Sequence, residues 1–145
     1  MLNGVHGRPT RRTDWDVLTP SQTVDVAPPS TVFPWDLWPR VYFGLYAEGS
    51  DDKWFAYTEG RRLRVYRSWT GFPIYELKFE LNREGFRIIR IRVNADMRQY
   101  TRGNDDYERM MAEWFVWAYF GGPQFHDHSQ RMWDCAYALR SNNPS

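Results

Sequence analysis

The sequence predicts one α+β domain over residues 31–140, built as a four- or five-stranded antiparallel sheet with two helices packed on one face. Three observations carry that expectation. Between residues 53 and 94, apolar and polar side chains alternate in short runs separated by turn residues, the period of strands joined by hairpins. After Gly103 the apolar residues recur at spacings of three and four, the period of a helix. The chain has 145 residues, 42% hydrophobic and 18% aromatic, with eight Trp, nine Tyr and nine Phe; that is enough for one core and too short for separate cofactor and substrate domains.

Residues 1–30 read as a flexible tail, because Gly4, Gly7, Pro9, Pro20, Pro28 and Pro29 interrupt every period and Arg8, Arg11 and Arg12 cluster there. From Val32 an aromatic run follows through Phe33, Trp35, Trp38, Tyr42, Phe43 and Tyr46. Pro34 and Pro39 argue against a long helix, so an irregular segment ending in a short strand over 40–46 is expected. Gly49, Ser50, Asp51 and Asp52 make a turn. Strands are predicted over 53–59 and 62–68, joined at Gly60 and Arg61. A third follows with Tyr75, Leu77, Phe79 and Leu81 on one side and Glu76, Lys78 and Glu80 on the other. Asn82 to Gly85 then closes a hairpin to a fourth strand over 86–94. The phase slips at Ile88 and Ile89, which predicts a bulge.

A helix is predicted from Asn104 or Asp105 to Phe120, with Tyr107, Met110, Met111, Trp114 and Ala118 toward the sheet. Val116, Trp117 and Phe120 lie off that stripe and need a second cover, which the aromatic segment, the final helix or another subunit could supply; they are the expected interface. Gly121, Gly122 and Pro123 stop the helix. A last helix begins near His128 or Ser129 and frays into a disordered end over 141–145. The expected core is Leu77, Phe79, Ile89, Ile91, Met110 and Trp114.

The formal net charge of +1 excludes a strongly basic nucleic-acid footprint. Glu76 and Glu80 are expected to lie between Arg62 and Arg64 on one side and Arg90 and Arg92 on the other, as cross-strand ion pairs that leave little of the sheet for RNA. Cys135 is the single cysteine, so no internal disulfide forms, and a cytoplasmic compartment is expected. No apolar run approaches the length that spans a bilayer, and no membrane partner is expected.

The stretch with most chemical content is Tyr66-Arg67-Ser68-Trp69-Thr70-Gly71. Together with Lys53-Trp54-Phe55, Tyr57, Glu59 and Ile74-Tyr75, it resembles a poorly characterised bacterial domain centred on an Arg-Ser-Trp-Thr-Gly motif, whose relatives stand alone or beside ADP-ribose-binding macrodomain modules. The resemblance covers residues 51–120 and implies no particular activity. Chemically, the motif joins a guanidinium on an otherwise apolar strand face to two hydroxyls, an indole and a glycine, parts that suit an anionic group attached to a ring. The plainer reading is a rigid turn in which Arg67 pairs with Glu59 and Trp69 caps the core.

His126, Asp127, His128 and Cys135 match no usual zinc spacing, and Asp51-Asp52 and Asp105-Asp106 have turn and cap roles, so no metal, cofactor or catalytic residue is assigned. The function expected from the sequence is a non-catalytic interaction module, using exposed aromatics to hold a protein partner or its own copy through Val116, Trp117 and Phe120. The alternative is a nucleotide- or ADP-ribose-related binding protein or enzyme using Arg67, Ser68, Trp69, Thr70 and Gly71. RNA binding is a minor third.

Overall fold

A computed structural model describes residues 7–48 and 53–141. The expected turn at 49–52, the first six residues and those after Ser141 lie outside the described residues. The chain forms one mixed α+β domain around an open five-stranded antiparallel sheet. The strands are β1 (Thr23–Val26), β2 (Trp54–Glu59), β3 (Arg62–Arg67), β4 (Pro73–Leu81) and β5 (Phe86–Asn94), in the order β1-β5-β4-β3-β2. Three helices accompany them: α1 (Trp38–Phe43), α2 (Asp105–Phe120) and α3 (His126–Ser141).

The three central strands, β3, β4 and β5, follow the alternation in the sequence. Leu63, Val65, Leu77, Phe79, Ile91 and Val93 are buried in the main core, which residues of α1 and α2 share. The predicted bulge lies where the β4–β5 register shifts after Lys78: Lys78 opposes Arg90 while Phe79 opposes Ile88, so Ile89 is the extra residue. That shift turns Ile88 into the core in place of Ile89, which is only half-buried.

The opposite face carries the arginines. Glu76 lies 3.6 Å from Arg62 and 3.9 Å from Arg64, and Glu80 lies 3.3 Å from Arg87. Arg90 and Arg92 pair instead with Asp25, at 3.0 and 3.6 Å. The reason is β1, which the sequence reading missed: it sets Asp25 directly opposite Arg92. Four residues between prolines are too short to register as a period.

The stretch predicted as a tail therefore contributes an edge strand, and more. Trp15 stacks on Phe55 at 6.1 Å and meets Tyr46 edge-on at 5.9 Å, forming with Tyr57 and Tyr66 a second cluster separate from the main core. Arg8 grips Asp14 through two hydrogen bonds of 2.9 Å, which fixes the turn leading into Trp15. The expected strand over 40–46 is also different. Residues 38–43 are helical because Pro39 falls in the first turn, where its missing N–H costs nothing, and only Leu45 bridges to Ala56.

Helix α2 begins where predicted: the Asn104 side chain accepts from the Tyr107 N–H at 2.8 Å, and Asp105, Asp106 and Glu108 occupy the first turn. Its rotation, however, overturns the expected interface. Ala112, Phe115, Val116 and Phe120 enter the core, whereas Met110, Met111 and Trp114 are half-buried and Ala118 is exposed. Val116, Trp117 and Phe120 are all buried within the chain itself. Trp117 lies 4.9 Å from Phe33 and 4.7 Å from Phe125, and its indole N–H donates to Glu113 at 3.0 Å. The second cover comes from the aromatic segment, one of the sources the sequence allowed, and from Phe125 in the turn before α3, which it did not name. The nearly all-round apolar end of α2 left two stripes of similar weight, and the aromatic segment decided between them. Helix α3 packs on α2, with Trp133 4.8 Å from Trp114.

Candidate functional site

Between the sheet, α2 and α3 lies a cleft of about 590 Å³. Its sheet wall is built by Lys53, Trp54, Arg67 and Tyr75, and Tyr100 enters from the connection between β5 and α2. Tyr107, Met111 and Trp114 of α2 form the second wall; His126, Ser129, Trp133 and Arg140 of α3 form the third. The volume is that of a small-molecule site, and the walls are mostly aromatic.

Three cations border it. Arg67 is the last residue of β3, in phase with Leu63 and Val65, so the strand aims its guanidinium to the face those two residues share. There it lies 4.5 Å from the ring centre of Trp54, its cross-strand partner. No carboxylate forms an ion pair with Arg67 among the described residues. The expected Arg67–Glu59 pair does not form, because Glu59 is at the other end of the hairpin and holds Arg64 at 2.7 Å. Arg140, in the last turn of α3, lies over the Tyr107 ring at 5.6 Å and donates to its hydroxyl at 3.3 Å. Lys53 is exposed at the mouth.

Behind the lining is a fully buried carboxylate, Glu108. It accepts from the Tyr75 hydroxyl at 2.5 Å, from the Tyr100 hydroxyl at 2.8 Å to each oxygen, and from the Gly103 N–H at 2.9 Å. Three donors converge on it, which is what a buried carboxylate requires. Burial raises the pKa of Tyr75 and of Tyr100, reinforced by the negative charge of Glu108 beside each, so both phenols keep their protons at neutral pH.

The motif residues divide. Ser68 is buried: its N–H donates to the Lys53 carbonyl at 2.9 Å, and its carbonyl accepts from the Trp15 indole at 2.8 Å. Gly71 has φ +71°, and a Cβ there would lie 2.4 Å from the Asp16 carbonyl oxygen, so only glycine fits beneath the N-terminal segment. The Gly71 N–H closes the turn onto the Arg67 carbonyl at 2.8 Å, and Thr70 accepts from the Phe72 N–H at 3.2 Å. Trp69 is 66% exposed and, like Ser68, Thr70 and Gly71, does not line the cleft. The turn therefore positions Arg67, whose guanidinium stacks on Trp54, while Trp69, the indole expected to stack on a ligand ring, lies outside the cleft. Trp54 was within reach of sequence reasoning: the two-residue turn at Gly60 and Arg61 pairs Glu59 with Arg62, and counting back along both strands sets Trp54 opposite Arg67. Glu108 carried no such signal, because a glutamate in a first helical turn reads as a capping residue.

Cys135 is exposed, and His128 meets the edge of Trp117 at 5.0 Å. Among the described residues no group of three His, Cys, Asp or Glu side chains could hold a metal ion, and no helix is long and apolar enough to cross a membrane. No protein-family model, curated protein or solved structure matches the chain.

Proposed function

We propose that the protein binds a small anionic molecule carrying a ring, of the nucleotide or ADP-ribose class, in the cleft between the sheet, α2 and α3. The observation that carries this reading is Arg67: a guanidinium stacked on Trp54, bordering a cleft of ligand size, with no carboxylate partner among the described residues. A cation kept in such a setting is served by an anion from outside. Lys53 and Arg140 add positive charge, and the aromatic walls suit a planar ring. In this reading both helices belong to the same side of the sheet, α2 lying against it and α3 closing the cleft. The single cysteine fits a cytoplasmic setting.

Two rival readings are less well supported. Docking through Val116, Trp117 and Phe120 would require side chains that are committed to the core. RNA binding on the sheet would require breaking the ion pairs of Arg62, Arg64, Arg87, Arg90 and Arg92. Isothermal titration of the purified protein with AMP and ADP-ribose tests the proposal. Saturable binding of at least one is expected, weakened at least tenfold by Arg67→Ala with an unchanged circular-dichroism spectrum. Undiminished affinity in that variant would place the site elsewhere.

A further inference from the structure

We infer that the cleft selects ligands able to donate hydrogen bonds, through a ring amino group or sugar hydroxyls, in addition to carrying an anion; the inference rests on the anion-binding reading above. It comes from following the protons of three of the lining hydroxyls, those of Tyr75, Tyr100 and Ser129. Tyr100 and Tyr75 each have one O–H, and both direct it at Glu108. Ser129, buried on the first turn of α3, donates its proton to the His126 carbonyl at 3.0 Å. A hydroxyl whose proton is engaged in this way can only accept from a ligand. Donation to a carboxylate also strengthens the phenolic oxygen as an acceptor.

The cleft is therefore divided in its hydrogen-bonding character. Lys53, Arg67 and Arg140 carry donors only, and the Tyr107 hydroxyl, which accepts from Arg140, still has its proton to give; Tyr75, Tyr100 and Ser129 offer acceptors, and His126 and Gln130 can do either. An anion bearing nothing but acceptors would meet the cations well and face the hydroxyl oxygens with unpaired oxygen of its own, a desolvation cost without return. A nucleotide meets both sets of groups, since its phosphate is an anion and its ribose and amino groups are donors. Burial and the neighbouring carboxylate keep the two phenols protonated, so this division holds across the neutral range.

The test is calorimetric titration with four probes: AMP, 2′,3′-dideoxy-AMP, the purine nucleotide without the amino group, and phenyl phosphate. Each is titrated into wild type, Tyr100→Phe, Ser129→Ala and Arg67→Ala. In wild type, AMP is expected to bind at least tenfold more tightly than one or both donor-deleted nucleotides and than phenyl phosphate. In Tyr100→Phe, or in Ser129→Ala should the first variant not fold, that preference is expected to fall to about twofold while phenyl phosphate affinity is unchanged. Equal affinities for all four probes in wild type, with loss of all four in Arg67→Ala, would overturn donor selection and leave the anion site standing. A preference that survives in both hydroxyl variants overturns it as well. Absence of binding by every probe, or binding indifferent to Arg67→Ala, overturns the anion site itself, and donor selection with it.

Discussion

The two ends of β4 lie under the same helix and are built in opposite ways. At the Phe79 end, rings close on one another: Phe79 meets Phe86 at 5.4 Å, Trp38 lies 5.7 Å from Phe79, and Phe33 stacks on Phe86 at 5.2 Å beneath Trp117. At the Tyr75 end, sheet and helices separate around a cleft, and polar groups replace rings as the contact: Tyr75 and Tyr100 on Glu108, and Asn94 on the Pro73 carbonyl at 2.7 Å. The difference teaches where this chain concentrates its stability. A dry aromatic end sets the fold and lets the other end hold a buried charge and an opening that packing alone would have eliminated.

That contrast breaks first at the dry end. Phe120 is 1% exposed, and Phe120→Ala should destabilise the protein by about 3–5 kcal/mol, the usual cost of truncating a buried aromatic. Urea unfolding measures it, and the loss should be independent of protein concentration. A small loss accompanied by a change in oligomeric mass would instead make Phe120 a docking residue.

The second effect is at the polar end. Glu108→Ala removes the acceptor for Tyr75, Tyr100 and the Gly103 N–H, and leaving even one such buried donor unpaired costs about 1–3 kcal/mol. Urea unfolding should register that loss. Ring-sensitive near-ultraviolet dichroism should then change at the Tyr75 end, leaving the Trp117 signal in place. Stability equal to wild type would mean that water replaces the carboxylate and that this end is wet throughout.

Smaller still should be the effect of Arg67→Ala on stability. A half-buried guanidinium over the buried Trp54 ring contributes about 1 kcal/mol. A thermal midpoint close to wild type, combined with lost ligand binding, would separate function from folding at this position; a large drop would show that Arg67 supports the turn it opens.

The same contrast governs what the sequence reveals. β2 through β5, the bulge at Ile89 and both ends of α2 are legible because alternation, turn residues and caps act locally. The rotation of α2 is not, since Val116, Trp117 and Phe120 are as apolar as the stripe that was preferred, and only the distant Phe33 and Phe125 settle which side is covered. Nor is the packing of Trp15 on Phe55, a contact made across the sheet by a segment full of turn formers. Arg67 stood out because a charge in phase with Leu63 and Val65 demands a reason. Its partner Trp54 needed register, and Glu108 needed the fold.

The smallest expected effect sharpens the polar end by pH. Asp96 follows β5 and sits 6% exposed, with Arg98 at 3.1 Å and the Ser21 hydroxyl at 3.2 Å. The hydrogen bonds from the Arg98 side chain and backbone hold its carboxyl down to about 2, below its ordinary value of 3.8. A folded-state value that is depressed contributes stability above the unfolded value, and that contribution is lost as pH falls through the folded one. Wild type should therefore exceed Asp96→Asn in thermal midpoint at pH 6, with the gap shrinking between about pH 4 and pH 2. Phe120→Ala should show no such dependence on pH in that window, because Phe120 packs on the Phe115 ring and not on a carboxylate. A gap for Asp96→Asn that stays constant down to pH 2 would mean that the ion pair with Arg98 does not persist in solution. The loop joining β5 to α2 would then owe its place to the contacts of Asn94 and Tyr100.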